Sequence, residues 1–553
     1  METKKHLDPW IIVSLAILAV YLLFLIYPML NVVKTSMVDP EGKLTLKYFI
    51  EFFSHKYYLD TLKNSFTVSL ATTVVSLIIG VPLAYLYSIY EIKGRKALQI
   101  IIVLCTMSAP FIGAYSWILL FGRNGVITVF FEKLGITVGT IYGFKGILIS
   151  MSSRLFPLAF MYVSGAMKNI DNTLLEASSN LGCSKFKRFW KLGIQLCMPS
   201  ILAASLMIFM RAFADFGTPL MIGEGFRTFP VEIYNQFVGE AGTDFNFAAA
   251  ISVIAILITA LVFFMQKYAN SKFQFTMNAM HPIERKKAKP VANFFIHLYA
   301  YGVVFISMLP QIYLIYTSFR KSSKSGFAFV PGYSFNNYQM AFKRMGKGFK
   351  NEIWNTVSIG VATLVVIIIL AILIAYLVVR RKNILNNAID TCSMLPYIIP
   401  GSVVGIALAS TFSTGIALTG TAAIMIIAMS IRRIPYTIRS SVATLQQIPM
   451  SMEEAALSLG STKAKTFFKI TVPMMASGII SGAILSWVSI ITELSSSIML
   501  YSAKNTTLTV MVYSLVNRGT DGQAAAVATI LTLFTILSLV VFNIVSKDDE
   551  ISL

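Results

Sequence analysis

The chain has 553 residues, of which 56% are hydrophobic and 13% charged, with a formal net charge of +21. A mean hydropathy of +0.71 excludes a soluble globular domain and describes an integral membrane protein. The basic residues lie in short loops beside apolar runs, which reads as positive-inside topology and attraction to anionic lipid, not as a nucleic-acid surface. Cys105, Cys183, Cys197 and Cys392 are far apart, and His6, His55, His281 and His297 show no ligand spacing, so neither a disulfide framework nor a metal site is indicated.

In chain order, Lys4 and Lys5 precede an apolar run from Trp10 to Val33. It is too long for a signal peptide and no small-residue cleavage site follows, so it reads as a retained first span with a cytoplasmic N-terminus. Further apolar runs of helix-spanning length lie near Phe66–Tyr87, Leu98–Phe121, Ile141–Val163, Ile201–Ile222 and Phe247–Gln266. A basic stretch with Arg285, Lys286, Lys287 and Lys289 then separates them from runs near Phe294–Thr317, Trp354–Val379, Thr391–Phe412, Gly415–Ile434, Met474–Leu500 and Ala524–Val545. The expectation is an all-α polytopic membrane protein of about twelve transmembrane helices. Its first six-helix half covers residues 1–270, a cytoplasmic basic linker 271–291, and the second half 292–553, with both termini cytoplasmic. Lysine and arginine follow this orientation in Lys93–Lys96, Lys185–Lys191, Arg380–Lys382 and Lys463–Lys469; the segment from Arg320 to Lys350 is a basic external exception.

The halves repeat. Pro28 with Thr35-Ser36 recurs as Pro310 with Thr317-Ser318, and Asn64 with Ala84-Tyr85 recurs as Asn355 with Ala375-Tyr376. Arg154 with Pro157 recurs 278 positions on as Arg432 with Pro435, and Asp215 recurs at that offset as Glu493. An even number of spans precedes the second copy, so the repeat is parallel.

Between the fourth and fifth spans of each half lies a polar, helix-forming loop. The second reads Glu454-Ala455-Ala456, then Gly460, Ile470 and Pro473; the first reads Glu176-Ala177-Ser178, then Gly182, with Leu192 and Gln195 at the last two places. Each glycine can take the positive φ needed to turn between two short helices. The first copy's proline comes later, at Pro199, which predicts a fifth span starting about one turn further on.

This pattern resembles the cytoplasmic coupling loop in the membrane subunits of ABC importers, and both halves resemble the fused permeases of the ferric-iron, thiamine and phosphonate group; Ala214-Asp215-Phe216-Gly217-Thr218-Pro219 is similar to a segment common there. The resemblance implies a type I importer permease fold in a bacterial inner membrane. It implies that Glu176, Ala177, Gly182, Glu454, Ala455, Ala456 and Gly460 meet an ATP-binding subunit, present in two copies, which uses ATP and Mg. It also implies an extracytoplasmic solute-binding protein, with ferric iron ahead of phosphonate, thiamine and polyamine as cargo. No phosphate-cradling Gly-x-x-x-x-Gly-Lys motif occurs, so this chain is not read as the ATPase and binds no cofactor itself. A twelve-helix secondary transporter would share the hydropathy but would lack the paired loops.

Ionisable residues at membrane depth are costly and usually functional. Arg154 and Arg432 read either as gate or docking residues at a cytoplasmic helix end or as snorkelling side chains. Asp215 and Glu493 read either as facing the translocation path or the binding protein, or as caps and structural pairs. Arg211, four residues before Asp215, is placed to pair with it along one helix, and Ser489 occupies its place in the other half.

Overall fold

The computed structural model describes residues 9–107, 109–137, 139–238, 244–272, 281, 283–323, 329–344, 348–397, 399–413 and 417–546. Lys4, Lys5, both chain ends, much of the linker and Lys324 and Lys347 of the basic external segment lie outside them. In chain order the helices that position the site are α1 (Pro9–Ser36), α2 (Lys56–Ile89), α3 (Arg95–Met107), α4 (Pro110–Phe121), α5 (Phe144–Lys168), α6 (Asn172–Asn180), α7 (Phe189–Phe213), α8 (Gly217–Ile222), α9 (Phe229–Val238) and α10 (Phe245–Lys272). They continue as α11 (Pro290–Ser318), α12 (Gly348–Arg380), α13 (Ile384–Met394), α14 (Gly401–Thr411), α15 (Ala422–Gln447), α16 (Ser451–Ser458), α17 (Ala476–Ile491), α18 (Ser497–Leu500), α19 (Leu508–Asn517) and α20 (Asp521–Ser546). One hairpin, β1 (Arg320–Ser322) with β2 (Phe329–Tyr333), interrupts this all-α architecture inside the basic segment after α11.

Among the described residues nine helices are long and apolar enough to cross a membrane, and eleven if two bent pairs each count as one span. The remaining span of the expected twelve is α15. It has 26 residues but carries Arg432, Arg433 and Arg439, which depress its hydropathy. For the same reason the apolar run near Gly415–Ile434 misplaces this helix, which starts at Ala422 and continues to Gln447. The fifth spans also differ from their apolar runs. Helix α7 stops at Phe213 and α17 at Ile491, so Asp215 and Glu493 lie just past the helix ends.

The delayed start expected for the first copy's fifth span is not observed: α7 runs without a break through Pro199. A π-helical stretch, Phe189–Ile194, opens it, and its repeat partner Phe467–Thr471 precedes Pro473. Such i→i+5 turns loosen the carbonyl ladder in front of a proline that cannot donate. In the second copy the chain then bends by 65° before α17.

The chain divides into two compact units. One comprises Ile50–Asn235 and Ile254–Tyr316, the other Met1–Phe49, Gln236–Val253 and Thr317–Leu553. In the first unit α2 lies along α5 and α7. Its buried face carries many small and polar residues (Ser65, Ser69, Thr72, Ser76, Gly80) beside Val68 and Leu83, whereas Leu70, Val74 and Ile78 are exposed. In lipid there is no hydrophobic gain in hiding leucine, so small residues face the neighbouring helix and permit close approach. Helix α11 completes this core: Ile296, Ala300 and Val304 join Leu83, Tyr87, Leu98 and Phe160. The Tyr299 hydroxyl donates to the Ile79 carbonyl at 2.8 Å, and the His297 ring accepts from the Lys93 N–H at 3.1 Å.

In the other unit α1 takes the corresponding place. Ser14 donates to Asn386 at 2.7 Å, Asn31 to Thr411 at 3.0 Å, and the Trp10 ring lies 4.6 Å from Tyr376 and 5.2 Å from Phe467. Each repeat therefore lends its first helix to the other repeat's core.

A Cβ on Gly80 would fall 2.6 Å from both the Ala159 Cβ and the Phe156 carbonyl oxygen. Gly80→Ala is expected to force α2 from α5 and lower stability by about 1–3 kcal/mol, measured by thermal unfolding in detergent. Adding Ala159→Gly should recover part of that loss.

Candidate functional site

The two polar loops fold to one design. In the second, the Leu459 end of α16 closes by a bond from the Ser461 N–H to the Ala456 carbonyl at 3.0 Å, with Gly460 at φ +84°. In the first, the Cys183 N–H donates to the Ser178 carbonyl at 3.0 Å, with Gly182 at φ +76°. This is the six-to-one closure that a left-handed residue permits at a helix C-terminus. A Cβ on either glycine meets nothing within 4 Å, so backbone conformation alone requires glycine there. The next helix is capped alike: Thr462 accepts from the Lys465 N–H and Ser184 from the Lys187 N–H, each at 3.3 Å.

The motif residues sort by exposure. Glu454, Ala455, Glu176 and Ala177 are exposed, whereas Ala456 and its partner Ser178 are buried, both at 8%. The replaced second alanine of the first copy is thus an inward-facing position where a small side chain suffices. Leu459 and Leu181, at the apex of each turn, are 89% and 85% exposed. Each loop presents an acid, a small side chain and a bare leucine on a turn held by backbone bonds.

Sequence reasoning passed over what anchors these helices. Beside Glu454, the buried Glu453 accepts from Arg380, the last residue of α12, at 2.9 Å; the same guanidinium donates to the Ile448 carbonyl at 2.8 Å. Before α6, Asp171 accepts from the Thr173 N–H at 3.0 Å and from its hydroxyl at 2.8 Å. Those two bonds, with His281 adding to them, pull the Asp171 carboxyl down to about 2.

The second set of residues meets inside the helices. Arg154 and Arg432 sit near the midpoints of α5 and α15, not at their ends, and about 15 Å along each helix from its first residue. Arg154 pairs with Asp215, and Arg432 with Glu493. The matched positions 278 apart are therefore matched ion pairs. Arg433, which sequence reasoning did not single out, takes the other Glu493 oxygen. Asp215 pairs with Arg154 in place of the expected Arg211, which stays on the last turn of α7.

Both acids also cap the broken fifth span. The Thr218 N–H donates to Asp215 at 3.0 Å, and the Ser496 N–H to Glu493 at 3.1 Å with the Ser495 hydroxyl at 2.7 Å. The Asp215 and Glu493 side chains are 2% and 1% exposed. Gly401 makes room for this cluster, since a Cβ there would meet the Arg432 guanidinium and the Ser495 hydroxyl. Chemically the arrangement neutralises each carboxylate and gives each of its oxygens at least one fixed donor, which disfavours either as a cation ligand in this arrangement.

Arg154→Met leaves a buried carboxylate without its counter-charge and is expected to cost about 3–5 kcal/mol. Arg154→Met with Asp215→Asn, which keeps an acceptor for Thr218, should recover most of it in thermal unfolding; no recovery would mean that the arginine acts through packing alone.

The model of the family described as binding-protein-dependent transport system inner membrane component matches twice, at residues 60–274 and 367–547. The ferric transport system permease protein FbpB of Actinobacillus pleuropneumoniae is 26% identical over 97% of this chain and 78% of its own length. A putative ferric transport system permease protein FbpB 1 of Haemophilus influenzae is 27% identical over 90% of this chain and 79% of its own. A probable ABC transporter permease protein of Sinorhizobium fredii is 21% identical over 95% and 94%. The secondary-transporter alternative falls with this match, and the paired loops and matched ion clusters have the setting that a twofold permease gives them. The chain belongs to the binding-protein-dependent transport system inner membrane component family, as the multi-pass inner-membrane permease subunit of an ABC importer whose two halves are fused.

Proposed function

We propose that the chain imports ferric iron, with ATP and Mg used by two copies of a separate ATP-binding subunit and cargo delivered by an extracytoplasmic binding protein. The observation that carries the coupling half of this reading is the pair of identically closed loops, each with an exposed Glu-Ala pair and an apex leucine. Glu176, Ala177 and Gly182 in one, and Glu454, Ala455, Ala456 and Gly460 in the other, form the docking elements. They face the cytoplasm, as do both termini and the basic linker 271–291 joining the halves 1–270 and 292–553. Iron is supported by the names of the relatives that match 97% and 90% of the chain.

In this reading Asp215 and Glu493 serve as gate elements with Arg154 and Arg432, and Arg211 adds positive charge beside the first pair. A clasp between the broken fifth helix and the unbroken fourth has two discrete arrangements, paired and unpaired, which suits alternation between inward-open and outward-open states. Cargo passes without being chelated by these carboxylates.

Uptake of radiolabelled ferric iron by cells expressing the chain with its ATP-binding subunit and binding protein tests the reading. Uptake should vanish without the ATP-binding subunit; persistence without it, driven by an ion gradient, would sink the proposal. Glu176 already accepts from the Asn172 side chain at 2.9 Å, and its loop is the more divergent copy. Glu454→Ala should therefore impair uptake more than Glu176→Ala. Loss of one charge-assisted contact weakens docking by about 1.5–3 kcal/mol, roughly ten- to hundredfold. Equal loss, or the reverse order, would overturn that asymmetry.

A further inference from the structure

Within the first unit, His281 and residues 283–288 touch α2 and α6 at two places. The Lys286 N–H donates to the Ile89 carbonyl at 2.9 Å and the Glu91 N–H to the Lys286 carbonyl at 3.3 Å, a rung of parallel bridge beside Tyr90 where α2 ends. Five residues earlier, the His281 carbonyl accepts from the N–H of Asn172, the first residue of α6, at 3.0 Å. The His281 N–H donates to Asp171 at 3.2 Å, and its ring Nδ1 lies 3.7 Å from the same oxygen. Between and beyond these points Ile283 and Ala288 pack on the core of Leu83, Tyr87 and Phe160. The segment therefore joins the C-terminus of α2 to the N-terminus of α6.

The other unit joins the corresponding two places differently. There Arg380, ending α12, holds Glu453 in the first turn of α16. The repeat register that matches Asn64 with Asn355 puts Ile89 where Arg380 stands, and the register that matches Glu176 with Glu454 puts Leu175 where Glu453 stands. Neither residue can form an ion pair. At Ile89, where the other repeat carries arginine, the carbonyl accepts the strap's hydrogen bond instead.

We infer that His281 and residues 283–288 form a strap that stands in for the Arg–Glu anchor and holds α6 in place, with His281 and Lys286 as positioning residues. The strap rests on the contacts above; its bearing on transport rests on the coupling role proposed for α6. In a fused permease the connecting chain is thus a working part of the first loop as well as a tether. It stays joined to α11 and does not depend on continuity with α10.

Amide hydrogen exchange on the full chain in detergent tests the strap without reference to cargo. Lys286→Pro removes the N–H given to Ile89 and should speed exchange across 172–180 on the order of fivefold, leaving 451–458 unchanged; Lys286→Arg, which keeps that N–H, should match the parent. Glu453→Gln should do the reverse, loosening 451–458 and not 172–180. Should Lys286→Pro fail to fold, His281→Pro, which removes the N–H given to Asp171 and leaves the Asp171–Thr173 cap intact, replaces it with the same expectation. Cutting at a protease site inserted between Gln274 and Phe275 should leave exchange at 172–180 unaltered. Unchanged exchange in the strap variant, equal acceleration in both loops, or acceleration by the cut would each overturn the inference. If the strap variant loosens α6 yet iron uptake and ATP hydrolysis stay at parental levels, the strap stands and the coupling role of α6 fails.

Discussion

A carboxylate buried at membrane depth is tolerable only if its charge is cancelled and its lone pairs are used, and the architecture of both halves answers to that requirement. Helices α7 and α17 stop short of the length of their apolar runs, leaving backbone donors that water cannot reach. Asp215 and Glu493 supply acceptors at those breaks, and the arginines of α5 and α15 supply the counter-charge. Remove either member and the break itself becomes unaffordable, because irregular backbone survives at depth only inside protein. The fourth helix in each half is thereby obliged to carry arginine at its middle, against its own hydropathy.

Around these clasps the packing follows the economy of lipid, not of water. Buried faces mix serine, threonine, alanine and glycine with apolar side chains such as Val68 and Leu83, while Leu70, Val74 and Ile78 of the same helix face outward. Polar side chains along the buried faces bond mostly to their own helix, Ser65 to the Thr61 carbonyl and Thr73 to that of Ser69, which removes their cost without demanding a partner across the interface. Where a cross-helix bond does occur it marks a join that matters. Phe229 and Leu508 open α9 and α19 by donating to Ser65 and Thr356, and Asn64 and Asn355 donate to the Arg227 and Thr506 carbonyls two residues before them. Those two asparagines are among the repeat's signatures in the sequence.

The class of fold, the repeat and the paired turn-forming loops were legible because each leaves a local trace: long apolar runs, fixed offsets, and glycines that a turn requires. The helix limits at Ala422 and Phe213 were not. Hydropathy averages over a window, so three arginines on α15 erase a real helix while the apolar residues after Phe213 extend an unreal one. Matching Arg154 with Arg432 and Asp215 with Glu493 placed the right residues together in register, yet pairing them needed contacts across 61 positions that no local pattern encodes. Arg433 and the Glu453 anchor were missed for the opposite reason. Each adjoins a motif residue that drew the attention, and neither has a counterpart in the other repeat to betray it.

The exchange of first helices sets a schedule for biogenesis. Helix α1 leaves the ribosome well before its partners Tyr376, Asn386 and Thr411, which follow more than three hundred residues later. At about 5–20 residues per second that is a wait of very roughly 20–70 s in the bilayer. Through it Ser14 and Asn31 have no α13 or α14 to bond, and the Ser14 hydroxyl can turn to the Trp10 carbonyl of its own helix, which it meets at 2.9 Å. The second repeat's first helix meets no such delay, because α2, α3 and α5 are already in place when α11 arrives. Assembly of the two cores is thus ordered in time, with the core built on α2 closing before the one that must recover α1.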